Sequence, residues 1–189
     1  MAGLKSRWIA FKEWSLVCDA LGTGRQSIIL RKGGIAEGRG GFRWQADRFF
    51  LFPTHFHEQA EKVIWQPTAE AHDAMGGDDE IIIRFAAQLD RTWTISSWTT
   101  ATSLAPLHIW REEVIRERLG CGEKTSVSLA LVRVFRLHEP WILRTTPAFG
   151  GCRSWLELPE REFDGGSAVI SDAEHAARRA QIERLLSIQ

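Results

Sequence analysis

Residues 8–31, WIAFKEWSLVCDALGTGRQSIILR, decide how the rest of the chain is read. Phe11, Trp14, Cys18 and Leu21 recur every three or four residues, so about Trp8 to Leu21 is expected to form an amphipathic helix. Gly22 and Gly24 suit its stop, because glycine readily takes the left-handed conformation that ends helices. Gln26–Arg31 then reads as a strand with β-branched Ile28 and Ile29 at its centre. It ends on a cation, and Lys32-Gly33-Gly34 comes next.

Past that turn, Phe42, Trp44 and Ala46 alternate with Arg43, Gln45 and Asp47, the pattern of a half-exposed strand. The strand turns wholly apolar at Phe49–Phe52 and is expected to stop at Pro53. Thr54 reads as the N-cap of a helix that puts Phe56, Ala60, Val63 and Ile64 on one face. Residues 66–79 form a polar, acidic loop. Strands are expected at Glu80–Leu89 and Thr92–Ile95, a short helix at Arg111–Leu119, and a central strand at Val127–Leu137. Pro140, Pro147 and Gly150-Gly151 should interrupt regular structure beyond Leu137, before a strand at Trp155–Leu158. Ser171 with Glu174 makes a capping box that opens a C-terminal helix over about 171–187. The class is therefore α+β: one domain over 1–189, built on a single mixed sheet or small barrel with three to four helices.

With 44% hydrophobic and 25% charged residues among 189, the chain has the composition of an ordinary globular protein. Nine Trp and ten Phe with no Tyr put the aromatic area into residues that bury well. Net charge is zero, but it is unevenly spread. Arg25, Arg31, Lys32, Arg39, Arg43 and Arg48 face only Glu37 and Asp47 between Gly22 and Phe50, whereas acids dominate from His55 to Asp90. A local basic cleft under a neutral total is the implied feature. Cys18, Cys121 and Cys152 are odd in number and contain no CxxC pair, which points to a reducing, cytoplasmic setting. Cys152 is expected to be small and buried beside Trp155. No apolar run reaches the ~18 residues of a membrane span.

Known catalytic patterns mostly fail. Lys32 precedes the glycines, so the turn is not a P-loop, and no run of glutamates follows Glu37 as a Nudix turn requires. None of Lys5, Lys12, Lys32, Lys62 and Lys124 has an acid two residues earlier, so the usual PD-(D/E)xK nuclease motif is absent. There is no GxSxG. His55-Phe56-His57-Glu58 invites a metal reading, but on a helix His55 and His57 would point about 200° apart, so no metal site is assigned. What remains is a strand-end cation pair beside a glycine turn, where Arg31, Lys32, Gly33 and Gly34 could grip an anion, with Arg25 close in sequence. An exposed hairpin whose charges guard a sheet edge accounts for the same residues. Trp93, Trp98 and Trp110 fall near predicted strand ends, as core filling or as base-stacking faces. Arg133 and Arg136, on an apolar strand, need carboxylate partners or a ligand.

The blocks AFKEWSLVCDALGTGRQSIILRKGGIAEG, FFLFPTHFHEQ, LAPLHIWREEVIRERL, VRVFRLHEPWIL and FGGCRSWLEL, in that order, resemble the bacterial domain-of-unknown-function family 1802 over residues 10–158. That resemblance implies a restriction-modification or defence context with an endonuclease-type protein partner. Gly24 to Arg31, with Leu137-His138-Glu139-Pro140 later, is similar to PUA and ASCH domains, small β-barrels whose cleft takes RNA, DNA or modified nucleotides. Arg25 stands where those domains carry a lysine, and the glutamate before the strand arginine is missing.

These readings converge on a cytoplasmic, PUA-like protein that binds nucleic acid or a nucleotide near the RKGG turn and needs no cofactor. Arg31, Lys32, Gly33, Gly34 and Arg25 would hold phosphate, and Trp110 would stack. The alternatives are a metal-assisted hydrolase or nuclease using Glu37, His55, His57 and Glu58, and a partner-binding subunit with exposed tryptophans.

Overall fold

The computed structural model describes residues 8–32, 42–55, 57–65, 79–120, 126–160 and 165–187. The expected first helix divides in two. Ile9–Trp14 is strand β1, and only Ser15–Gly22 is helix α1. Because Ala10, Phe11, Lys12 and Glu13 are all buried, β1 shows no alternation, and its apolar spacing runs on into that of the helix. Trp14 gives α1 no side-chain cap. Gln59 supplies one from far along the chain, its Oε1 accepting from Leu16 N at 3.4 Å and Ser15 Oγ at 3.1 Å.

After β2 (Ile28–Arg31), residues 42–46 form no strand, and β3 spans Arg48–Thr54. Phe42 and Trp44 instead pack edge to face at 4.8 Å and join Phe11, Phe49 and Trp155 in one aromatic cluster. Such pairs add about 0.5–1.5 kcal/mol beyond burial. Trp44 Nε1 donates to Ser128 Oγ and Trp155 Nε1 to the Arg43 carbonyl, so both indole N–H groups are satisfied. Pro53 does not stop β3; it lies past the Arg48–Phe50 ladder with β4, where no N–H is needed. Thr54 caps no helix: its hydroxyl donates to the Glu13 carbonyl at 3.0 Å, and a 3-10 turn, His57–Lys62, comes after it. The loop expected at 66–79 lies outside the described residues apart from Asp79.

Glu80–Leu89 and Thr92–Ile95 prove to be one strand, β4 (Glu80–Ile95), with a register shift between Leu89 and Arg91. The extra residue at the shift is Asp90, whose carboxylate meets His175 at 2.9 Å and Arg179 at 2.7 Å. Short helices α2 (Trp98–Ser103) and α3 (Glu112–Leu119) come next; the second was expected and the first was not. β5 runs Val127–Arg144 straight through Pro140. Its β4 ladder lapses there, between Arg136 and Trp141, which removes the need for a proline N–H. β6 (Trp155–Glu157), β7 (Gly166–Ala168) and helix α4 (Asp172–Ser187) complete the chain. The capping box at α4 forms as expected, with the Glu174 carboxylate on Ser171 N at 3.0 Å and Ser171 Oγ close to Glu174 N at 3.2 Å. Arg133 pairs with Asp172 at 2.6 Å, while Arg136 donates to the Gly22 carbonyl and lies 4.9 Å over the Phe85 ring. Cys152 is exposed rather than buried beside Trp155.

The result is α+β, one mixed seven-stranded sheet ordered β2-β5-β4-β3-β1-β6, with β7 also on β5 and four α-helices among the described residues. β1 and β3 are parallel and the other pairs antiparallel. Strand alternation sends Phe11, Phe49, Leu51 and Phe85 into the larger core, and Ala10, Phe50, Phe52 and Leu137 into a smaller one. A Cβ at Gly22 would collide with the Phe85 ring, so glycine there lets α1 settle on the sheet. Among the described residues no helix is long and apolar enough to cross a membrane.

Candidate functional site

Arg31 closes β2, and its side chain turns onto β1. Its Nη2 donates to the Lys12 carbonyl on β1 at 2.6 Å, its Nη1 lies 4.0 Å from Glu13 Oε1, and its guanidinium sits 4.8 Å over the Phe11 ring. Three strands lie between β2 and β1 in the sheet order, so this contact requires the sheet to curl back on itself. The Arg31 side chain keeps 20% of its surface exposed, while that of Glu13 is wholly buried.

A second guanidinium serves the same carboxylate. Arg118, on α3, lies 3.9 Å from Glu13 Oε1, donates to the Leu30 carbonyl, and stacks 4.3 Å over Trp110 and 5.1 Å over Trp14. Burial lowers the Arg118 guanidinium to about 10, with Glu13 opposing the fall and Arg31 adding to it. It therefore stays charged at neutral pH. Glu13 Oε1 also accepts the Trp14 N–H at 2.9 Å. Glu13 Oε2 and Arg31 Nε are buried with no hydrogen-bond partner among the described residues. The cluster thus holds two cations around one carboxylate, with an acceptor and a donor still to be satisfied.

Lys32 comes next at the surface, its Nζ donating to the Glu117 carbonyl at 3.4 Å, and the Glu117 carboxylate stands 3.8 Å from Lys62. The first of these contacts places Lys32 against the last turn of α3, which also carries Arg118. His108 lies behind Trp110, ring centroids 5.2 Å apart. Burial, aided by the Arg118 charge, pushes its imidazole down to about 4, against a Trp110 backbone contact too poor in geometry to be a hydrogen bond.

The sequence candidates divide accordingly. Arg31 and Lys32 stay together, but Arg25 is at the opposite end of β2, in a groove with Ser27 and Arg178. Trp110 is 2% exposed and covered by Arg118, so it backs a guanidinium and offers no open face to a base. His55 is exposed just past β3, Glu58 is exposed in the 3-10 turn, and His57 opens that turn with its side chain outside the described atoms. Gly33, Gly34 and Glu37 lie outside the described residues. Among the described residues no three His, Cys, Asp or Glu side chains gather as a metal site. Sequence reading missed Glu13 and Arg118 and assigned His108 no role. One clue to Arg118 existed: it sits one turn after Val114, on the apolar face of its helix, where a charge needs a partner.

The sequence model of one family, described as Domain of unknown function (DUF1802), matches residues 10–181. No curated protein matches the chain. Crystal structures of an ASCH protein from Zymomonas mobilis are similar over most of both chains, at 12% identity. The parent covers 94% of this chain and 96% of its own with a TM-score of 0.46. A Ser-to-Ala variant covers 93% and 96% with a TM-score of 0.47.

Proposed function

This chain belongs to the DUF1802 family, and we propose that it binds nucleic acid or a nucleotide at the cation-rich end of β2 beside the RKGG turn. The observation that carries the proposal is the shared carboxylate: Arg31 and Arg118 both face the one buried carboxylate of Glu13, and the exposed Lys32 ammonium lies against the helix that carries Arg118. A partly desolvated pair of guanidiniums suits phosphate oxygens, which accept two parallel N–H bonds from each. Arg31 is the member with exposed surface to offer, and the Lys12 and Leu30 carbonyls hold the two guanidiniums in place.

Arg25 would contribute a separate phosphate contact on a longer strand, since it lies at the far end of β2. In the restriction or defence setting implied by the resemblance, the ligand would be foreign DNA or RNA and an endonuclease-type protein would act on it. The test is a fluorescence-anisotropy titration of single- and double-stranded oligonucleotides at low and moderate salt. Lys32→Ala is the cleaner variant, because Arg31 also holds the sheet closed. Weaker binding by Lys32→Ala supports the proposal; binding equal to the parent's by both Lys32→Ala and Arg31→Ala removes it.

A further inference from the structure

A groove of about 230 Å³ lies where the start of β2 meets α4 and the 3-10 turn Ala105–Leu107. Arg25 reaches it from the turn before β2, while Arg178 and Gln181 stand three residues apart on one face of α4. Ile28, Leu107 and Ile182 give it apolar walls. No acid lines it among the described residues. Two guanidiniums therefore share a small groove with no carboxylate between them, beside walls that screen charge less than water does.

The donors are positioned by the fold. Arg178 donates from Nη1 to the buried Ser27 hydroxyl at 2.6 Å and from Nη2 to the Gly24 carbonyl. A guanidinium carries five N–H bonds, so the plane is fixed while three donors stay uncommitted among the described residues. Glu174, one turn earlier, feels the Arg178 charge, but its carboxylate is taken up by the Ser171 N–H and hydroxyl. The Arg25 backbone is pinned on both sides: the Gly24 N–H donates to the Leu21 carbonyl at 3.2 Å and the Gln26 N–H to the Ala20 carbonyl at 3.0 Å. Gly24 takes φ +74°, and a Cβ there would come 2.7 Å from Ile170 Cγ2, so glycine lets this turn approach the chain entering α4. The Arg25 side chain is exposed, and neither it nor Gln181 makes a side-chain hydrogen bond or ion pair among the described residues.

We infer that this groove is a binding site for a tetrahedral oxyanion, a phosphate dianion either free or at the end of a monoester. Arg178, already fixed against β2, takes one edge of the anion, Arg25 takes another, and the Gln181 amide donates to a remaining oxygen. Three donor groups arriving from a turn and a helix suit an anion with several oxygens in different directions. A planar carboxylate has two oxygens and leaves one group unused. The site lies at the far end of β2 from Lys32, needs no nucleic acid, and gives the contact proposed for Arg25 a pocket of its own.

Calorimetric titration of the full chain with inorganic phosphate at constant ionic strength tests it, beside glycerol 3-phosphate and acetate. Phosphate saturates one site with a Kd of about 1 mM or tighter, and acetate binds about tenfold more weakly. Glycerol 3-phosphate binding as tightly as phosphate assigns the groove to the end of a larger molecule; weaker binding assigns it to the free ion. Arg25→Gln removes one charge-assisted contact and weakens phosphate about tenfold. Gln181→Glu puts a carboxylate into the groove and abolishes binding. Lys32→Ala leaves every value unchanged, so failure here and failure of oligonucleotide binding are read separately. The inference is overturned if phosphate shows no saturable binding by about 10 mM, or if Arg25→Gln and Gln181→Glu both bind it as the parent does. Should Gln181→Glu fail to fold by circular dichroism, unchanged binding by Arg25→Gln alone overturns it.

Discussion

Arg31 and Glu13 meet across the sheet although their strands, β2 and β1, are separated by three others in its order. Their contact, with the Arg31 bond to the Lys12 carbonyl, closes the curl of the sheet at one end. The same charges that mark the candidate anion site therefore also hold the fold together, and predictions must separate the two roles.

Glu13→Gln keeps an oxygen for the Trp14 N–H but leaves Arg31 and Arg118 without a carboxylate. Breaking a buried ion pair typically costs about 3–5 kcal/mol; distances of 3.9 and 4.0 Å place this one near the lower end. The expected outcome is a fall in melting temperature of about 10 °C. A fall of less than about 2 °C would show that the carboxylate does not hold the two guanidiniums.

His108 should make the protein acid-sensitive. Its folded value is about 4 against an ordinary 6.5, so the unfolded chain binds more protons between those limits. Stability is therefore full above about pH 6.5 and falls as pH drops towards 4, by about 3 kcal/mol in the limit. Glu174, held below its usual value first by the Ser171 N–H and then by the Ser171 hydroxyl, loses stabilisation in the same direction at lower pH. His108→Leu should flatten the decline between pH 6.5 and 4 in urea melts while changing stability at pH 7.5 by no more than about 1 kcal/mol, because both ring nitrogens lack hydrogen bonds among the described residues. An unchanged slope would assign the acid sensitivity elsewhere.

Asp90→Ala removes one carboxylate from both His175 and Arg179 and should loosen α4 locally. Hydrogen exchange is the direct measurement. Amides of α4 should exchange faster, by about tenfold for each 1.4 kcal/mol lost, while β4 and β5 amides keep their protection. Equal acceleration in β5 would mean that the helix and sheet open together.

The features readable from the sequence were those that local chemistry decides. The Ser171–Glu174 box, α3 and the Ile28–Arg31 strand depend on neighbours a few residues away and form as expected. β1 was illegible because burial on both faces erases alternation, and Phe11 and Trp14 continue the spacing of the helix after them. Thr54 has the chemistry of a helix cap, but a carbonyl from distant β1 claims its hydroxyl. Arg31 was visible as a strand-end cation; Glu13 and Arg118 were not, because only the curl of the sheet and the placing of α3 bring them to it.

The salt dependence of oligonucleotide binding tests the central claim most directly. Each phosphate contact contributes about 0.7–0.9 to the slope of log affinity against log salt. For the parent the slope should be negative and steeper than for Lys32→Ala by about one contact, with affinity reduced in the variant and its melting temperature unchanged. Identical affinity and slope for parent and Lys32→Ala, or no salt dependence in the parent, would contradict binding at the end of β2.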